Sequence, residues 1–128
     1  MFDDDDPVLA RVRELALSLP GAQEKVSHGR PAFFTTKVFA YFSGATKAGE
    51  EWVQHPHAIM VKPDTDERTA LLEEERCWVP GYLGPSGWLG IDIGDGSDWV
   101  ELAELIESSY RETASRNLVR ALDDRWSV

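Results

Sequence analysis

Seven side chains, drawn from four stretches of the chain, have the right types for ligand chemistry. His28 and Arg30 share the turn His28-Gly29-Arg30-Pro31, just ahead of an aromatic-rich stretch. Turns carry binding side chains out of proportion to their length. Read as function, this pair contacts a ligand or a phosphate. Read as structure, His28 bonds to backbone and Arg30 makes a surface ion pair. Lys37 and Lys62 fall on neighbouring strand positions that can share a face with Arg30, and Tyr41, Tyr82 and Trp88 can lie near them. Cations interleaved with aromatic rings suit an anionic or nucleobase-bearing ligand. The candidate ligand or nucleic-acid site is therefore His28, Arg30, Lys37, Lys62, Tyr82 and Trp88.

Other groups are weaker candidates. His55-Pro56-His57 offers two imidazoles, too few for a closed zinc site, and no Cys pair accompanies them. Cys77 is the lone cysteine, and Glu73, Glu74 and Glu75 beside it raise a thiol pKa rather than lower it, which argues against a Cys-His nucleophile. The Gly-rich stretch near residue 84 has no Gly-Lys-Ser/Thr and does not lead straight into a helix, so it is no phosphate loop. Ser86 lacks a nucleophile-elbow frame. Asp92, Asp95 and Asp98 lack calcium-loop spacing and read as caps and solvated turn residues. No catalytic residue, metal or cofactor is expected, and the protein reads as non-enzymatic.

These side chains need a frame, and Trp78 to Ile93 is its centre. The stretch holds Pro80, Gly81, Gly84, Pro85, Gly87 and Gly90 around Trp78, Tyr82 and Trp88. Gly reaches backbone angles other residues avoid, and Pro fixes φ, so the loop is shaped and stiff. Its rings either plug a core or line a recess. It runs into an alternating strand, Trp88 to Ile93.

Around that centre, Asp6-Pro7 opens a first helix with Val8, Leu9, Val12, Leu15, Ala16 and Leu19 on one stripe, stopped by Pro20-Gly21. Gln23 to Ser27 reads as a short strand. Ala32 to Thr35 and Lys37 to Phe42 read as a strand pair, with Val38, Ala40 and Phe42 on one face and Lys37, Phe39 and Tyr41 on the other. Ser43 to Gln54 is polar and contains Gly, and is expected to be a loop. His57 to Lys62 is a further strand. Asp64 and Glu67 form a capping box for a helix running to Glu73-Arg76, and Asp98 and Glu101 form another for the longest helix. That helix has Trp99, Leu102, Ala103, Ile106 and Tyr110 on its stripe. A last short helix spans Asn117 to Trp126. The order gives an α+β class, with a mostly antiparallel sheet of about five strands and helices on one face.

At 128 residues this reads as one domain, 1–128, with residues 1–6 a disordered acidic start. The acidic opening is unlike a signal peptide, and no apolar run suits a membrane span, so a cytoplasmic location is expected. A net charge of −10 bears on partners. Duplex-binding domains carry basic patches because phosphate neutralisation supplies most non-specific affinity. Any basic face here must be compact.

With these elements placed, the chain resembles the MmcQ/YjbR family. The resemblance rests on Leu15-Ala16-Leu17-Ser18-Leu19-Pro20-Gly21-Ala22, on His28-Gly29-Arg30-Pro31-Ala32-Phe33 and on Lys37-Val38-Phe39-Ala40. It continues through Val61-Lys62-Pro63-Asp64 to Leu71-Leu72, then Pro80-Gly81-Tyr82-Leu83-Gly84 with Gly87-Trp88, and Ser108-Ser109-Tyr110. It implies a two-layer α+β sandwich with a bent antiparallel sheet, similar to secretion-chaperone domains. It also implies a bacterial-type, cytoplasmic binding module of uncharacterised role, often labelled DNA-binding. Three classes of role are open: DNA binding, to which the acidic charge is opposed; docking of a protein partner or a second copy in a homodimer; and a small-molecule, small-anion sensor or enzyme, which a deep pocket holding His28 and a carboxylate would favour.

Overall fold

The structure, a computed structural model, describes residues 2–126. Four helices and six strands alternate along it: α1 (Pro7–Leu17), β1 (Gln23–Ser27), β2 (Arg30–Phe34), β3 (Val38–Ala48), β4 (Glu51–Val61), α2 (Thr65–Leu71), β5 (Cys77–Trp78), β6 (Leu89–Asp92), α3 (Trp99–Thr113) and α4 (Arg116–Trp126). The strands form one antiparallel sheet in the order β1-β2-β3-β4-β6-β5. The class is α+β, as the element order requires.

The helices form where caps and stripes place them. Asp6 accepts from the Val8 amide at 2.8 Å and Pro7 fills the first helical position of α1. Leu9, Val12 and Ala16 of α1 and Leu102, Leu105, Ile106 and Tyr110 of α3 are buried on one sheet face, against Phe33, Phe42, Ile59, Val61, Leu89 and Ile91. The α3 stripe therefore runs through Leu105 rather than the expected Ala103. Both capping boxes are half made. Asp64 and Asp98 cap as expected, but Glu67 turns to Ser108 and Glu101 to Arg76 instead of closing back on the caps. The α2 helix ends at Leu71, before the expected Glu73–Arg76 end.

The largest departure from expectation lies in 43–54. This stretch is not a loop: β3 and β4 run through it as a long hairpin, with Ala48 opposite Glu51 across Gly49-Glu50. Gly49 at φ 66 makes the tight turn that hairpin twist demands. The stretch reads as loop because its outer half is open on both faces, so no apolar alternation marks it. The two-residue β5 raises the strand number from about five to six.

Bulges bend this hairpin. The register slips between Phe33 and Phe34 against β3, and again around Ser43, which lies at φ 67. The first slip re-aims Phe39 into the helix-side core and Val38 to the opposite face, reversing the alternation expected there. The opposite face is not bare. Ala32, Tyr41, Ala58 and Met60 are buried there under Trp78 and Trp88.

Two polar ties lock α3 to the frame. The buried Ser109 hydroxyl accepts from the Lys62 amide at 2.7 Å and donates to the Phe39 carbonyl, joining α3 to β3 and the end of β4. The Tyr110 hydroxyl donates to the Pro20 carbonyl at 2.6 Å, while its ring meets Phe39 edge-on at 5.4 Å. Ser109→Ala strands both a buried N–H and a buried C=O, and is expected to lower stability by about 1–3 kcal/mol in urea denaturation. An unchanged midpoint would contradict this role.

Candidate functional site

The long loop after α2 folds over the outer sheet face instead of leaving it open. Trp78 lies flat there because Gly44 and Gly90 have no side chains; a Cβ on either would collide with its indole. Three further contacts fix it. Its Nε1–H donates to Asp92 at 2.9 Å, the His55 ring stacks on it at 3.9 Å, and His55 Nδ1 meets the same Asp92 oxygen at 2.7 Å. Farther along, the Gly81 amide donates to the Ala45 carbonyl and Arg68 donates to the carbonyls of Gly84 and Trp88. Trp88 packs on Tyr41 with centroids 5.3 Å apart. The loop is thus bound to the sheet at both ends and in its middle.

Between the loop and the bent hairpin lies a recess of about 370 Å³. Tyr41, Met60 and Ala45 line it from the sheet, Gly81, Tyr82 and Leu83 from the loop, Trp52 and Gln54 from β4, and His28 and Arg30 from the β1–β2 turn. No Asp or Glu is among these residues. Arg30 is half-buried and has no hydrogen-bond or ion-pair partner among the described residues, whereas Arg13, Arg76 and Arg111 each meet a carboxylate. Burial lowers the Arg30 pKa from its ordinary value, and the group remains cationic at neutral pH.

The recess also concentrates backbone strain. His28, Ser43 and Tyr82 are the non-glycine residues with positive φ among those described, at 55°, 67° and 65°. His28 and Tyr82 line this recess, and Ser43 lines an adjoining hollow that shares His28, Arg30 and Gln54 with it. Such angles cost about 1–3 kcal/mol each and collect where a site demands a particular side-chain direction. Tyr82 is 85% exposed and meets Trp52, 41% exposed, at 5.4 Å between ring centroids.

The sequence-predicted set is divided by the fold. His28, Arg30 and Tyr82 come together on the recess. Trp88 lies beneath it, only 7% exposed, so it offers no free stacking face. Lys37 is exposed in the bend before β3, and the stem of Lys62 passes the Gly87 backbone; neither lines the recess. Trp52 and Gln54 were hidden inside the presumed loop. Once 43–54 is a strand, their period-two spacing puts them on one face together. Arg68, the loop's tether, has no sequence signal beyond its charge.

The other chemistry-bearing groups are engaged separately. His55 serves Asp92, while His57 Nε2 meets Asp6 at 2.7 Å, so the two imidazoles do not converge. Among the described residues no three His, Cys, Asp or Glu cluster as metal ligands. No helix among them is long and apolar enough to cross a membrane.

An antiparallel sheet with helices on one face and a Gly/Pro loop on the other, enclosing an apolar recess, defines a small α+β domain with a ligand-sized hollow. A family model described as YjbR matches residues 17–112, and the chain belongs to that family. No curated protein matches it.

Cys77 gives a direct check on the loop's surroundings. Burial, then the nearby Glu74 charge, push its thiol up to about 11. The thiolate is the reacting form, so alkylation by iodoacetamide at pH 8 is expected on the order of 100-fold slower than for a free thiol of pKa ~8.5, and to climb as pH rises toward 11. Rapid labelling at pH 8 would contradict this packing.

Proposed function

We propose that this protein is a non-enzymatic binding module whose working site is the recess between loop 78–88 and the β3–β4 hairpin, and that its ligand is a compact organic anion. One observation carries the reading: a half-buried Arg30 without an anionic partner, in an acid-free recess of a chain with net charge −10. A desolvated cation is costly unless paired, and a ligand anion would complete the pair. The volume and apolar lining lie within the usual range for small-molecule sites. The lone Cys77 supports a reducing, cytoplasmic setting.

Duplex DNA draws less support. Only Arg30 of the three predicted cations lines the recess, and a duplex site needs several charges along a backbone. Protein docking is the second reading. Trp52, Val53, Val79 and Tyr82 are exposed at the hairpin end and on the neighbouring loop, joined through Thr46, which pairs with Val53 and donates to the Val79 carbonyl. Such rings serve as interface anchors for a second copy or a basic partner.

NMR titration with acetate, butyrate and benzoate tests the leading reading. Shifts are expected at Arg30, Gln54 and Tyr82, with Arg30→Gln weakening binding about tenfold or more. Binding unaffected by Arg30→Gln, or shifts confined to other surfaces, would refute it. In parallel, salt-sensitive binding to a duplex that Lys37→Glu abolishes would favour DNA, and a concentration-dependent dimer broken by Tyr82→Asp would favour docking.

A further inference from the structure

We infer that the ligand is a planar aromatic carboxylate, its ring stacked on the Trp52–Tyr82 pair and its single negative charge on Arg30. The inference rests on the reading of the recess as an anion site and adds two choices to it: the shape of the body and the kind of anion.

The shape follows from the rings. Trp52 and Tyr82 both line the recess, yet neither is consumed by packing. Their rings are tilted by 45°, so each keeps ring surface not covered by the other. Tyr82 is held at φ 65 on a stiff Pro80-Gly81-Tyr82 corner, and Trp52 crosses directly over Gly81, where a Cβ would strike its six-membered ring. The pair is therefore held in place by backbone geometry, with Tyr82 largely exposed and Trp52 partly so, its ring lying against Gly81 with the Lys47 ammonium 5.9 Å from its centroid. A flat ring gains stacking on such faces that a puckered body of equal size does not. The sheet-side residues Ala45 and Met60 add apolar surface for the ring's edge.

The kind of anion follows from charge. Arg30 is the one permanent cation in the lining, and its guanidinium fork matches a carboxylate with two parallel hydrogen bonds. His28, on the same turn, is exposed to solvent, so any charge it carries is screened. A phosphate dianion would leave one charge uncompensated within a protein that is already acidic. A monoanion would not. Gln54 supplies an amide that can donate to the second carboxylate oxygen or to a ring substituent.

The test is calorimetric titration of the full chain with three probes: 2-naphthoate, decahydro-2-naphthoate and 2-naphthyl phosphate. The expected result is about tenfold tighter binding of 2-naphthoate than of its saturated analogue. Tyr82→Ala should erase most of that preference and Tyr82→Phe should keep it; the exposure of Tyr82 leaves folding unaffected. Arg30→Gln should weaken both carboxylates alike. Equal binding of flat and saturated carboxylates, or a preference that survives Tyr82→Ala, would overturn the aromatic assignment while leaving the anion site standing. Tighter binding of the naphthyl phosphate would overturn the carboxylate assignment alone. No binding of any probe, or binding indifferent to Arg30→Gln, would overturn the inference together with the reading beneath it.

Discussion

The outer half of this protein depends on one steric allowance: bare backbone at Gly44 and Gly90, into which the Trp78 indole settles. Gly90 sits opposite Trp78 in the β5–β6 ladder, and Gly44 sits just beyond the Ser43 bulge of β3. With side chains at either place the indole would stand off the sheet. Asp92 would lose its Nε1–H donor and His55 its stacking partner. The loop from 79 to 88, which supplies one wall of the recess, would lose its anchor at one end.

That allowance explains why a sheet of this class has two cores. Helices α1, α3 and α4 bury the inner face around Phe33, Phe39 and Tyr110. A folded loop, not a second layer of helices, covers the outer one. A loop can cover apolar surface only if its own polar backbone is satisfied. Arg68 answers part of that need by donating to two of the loop's carbonyls, and Gly81 answers another by pairing with Ala45. Coverage stops short of the hairpin's outer end, and the recess is the space left between. The same geometry sorts charge. Most buried or half-buried cations elsewhere are answered by carboxylates or carbonyls, while Arg30 makes no ion pair among the described residues: its recess holds no acid, and Asp3 and Asp6 line only the adjoining hollow.

Local rules recovered the inner layer well. Asp6-Pro7, Asp64 and Asp98 announce helix starts by capping chemistry that needs no tertiary context, and the Leu and Val stripes follow from period alone. The rest was less legible, for physical reasons. The 43–54 hairpin is exposed on both faces at its outer end, so neither apolar period appears, and Trp52 was lost with it. Phe39 changes face at a bulge, a one-residue event that strict alternation does not encode. Of the loop's three large rings, Trp78 and Trp88 are buried and Tyr82 lines the recess. Which of them plug and which line depends on where glycine leaves room across the sheet. Lys37 and Lys62 looked adjacent to Arg30 on a flat sheet; the bends separate them.

The most direct measurement is the response of the recess to Gly90→Ala, read by amide and indole NMR shifts together with hydrogen exchange. The account predicts large shifts of the Trp78 indole and of residues 79–88 and loss of the recess. Exchange protection in α1 and α3, on the other face, should be retained. A variant in which Trp78 and loop 79–88 keep their shifts and the recess survives would contradict the claim that this glycine notch holds the site together.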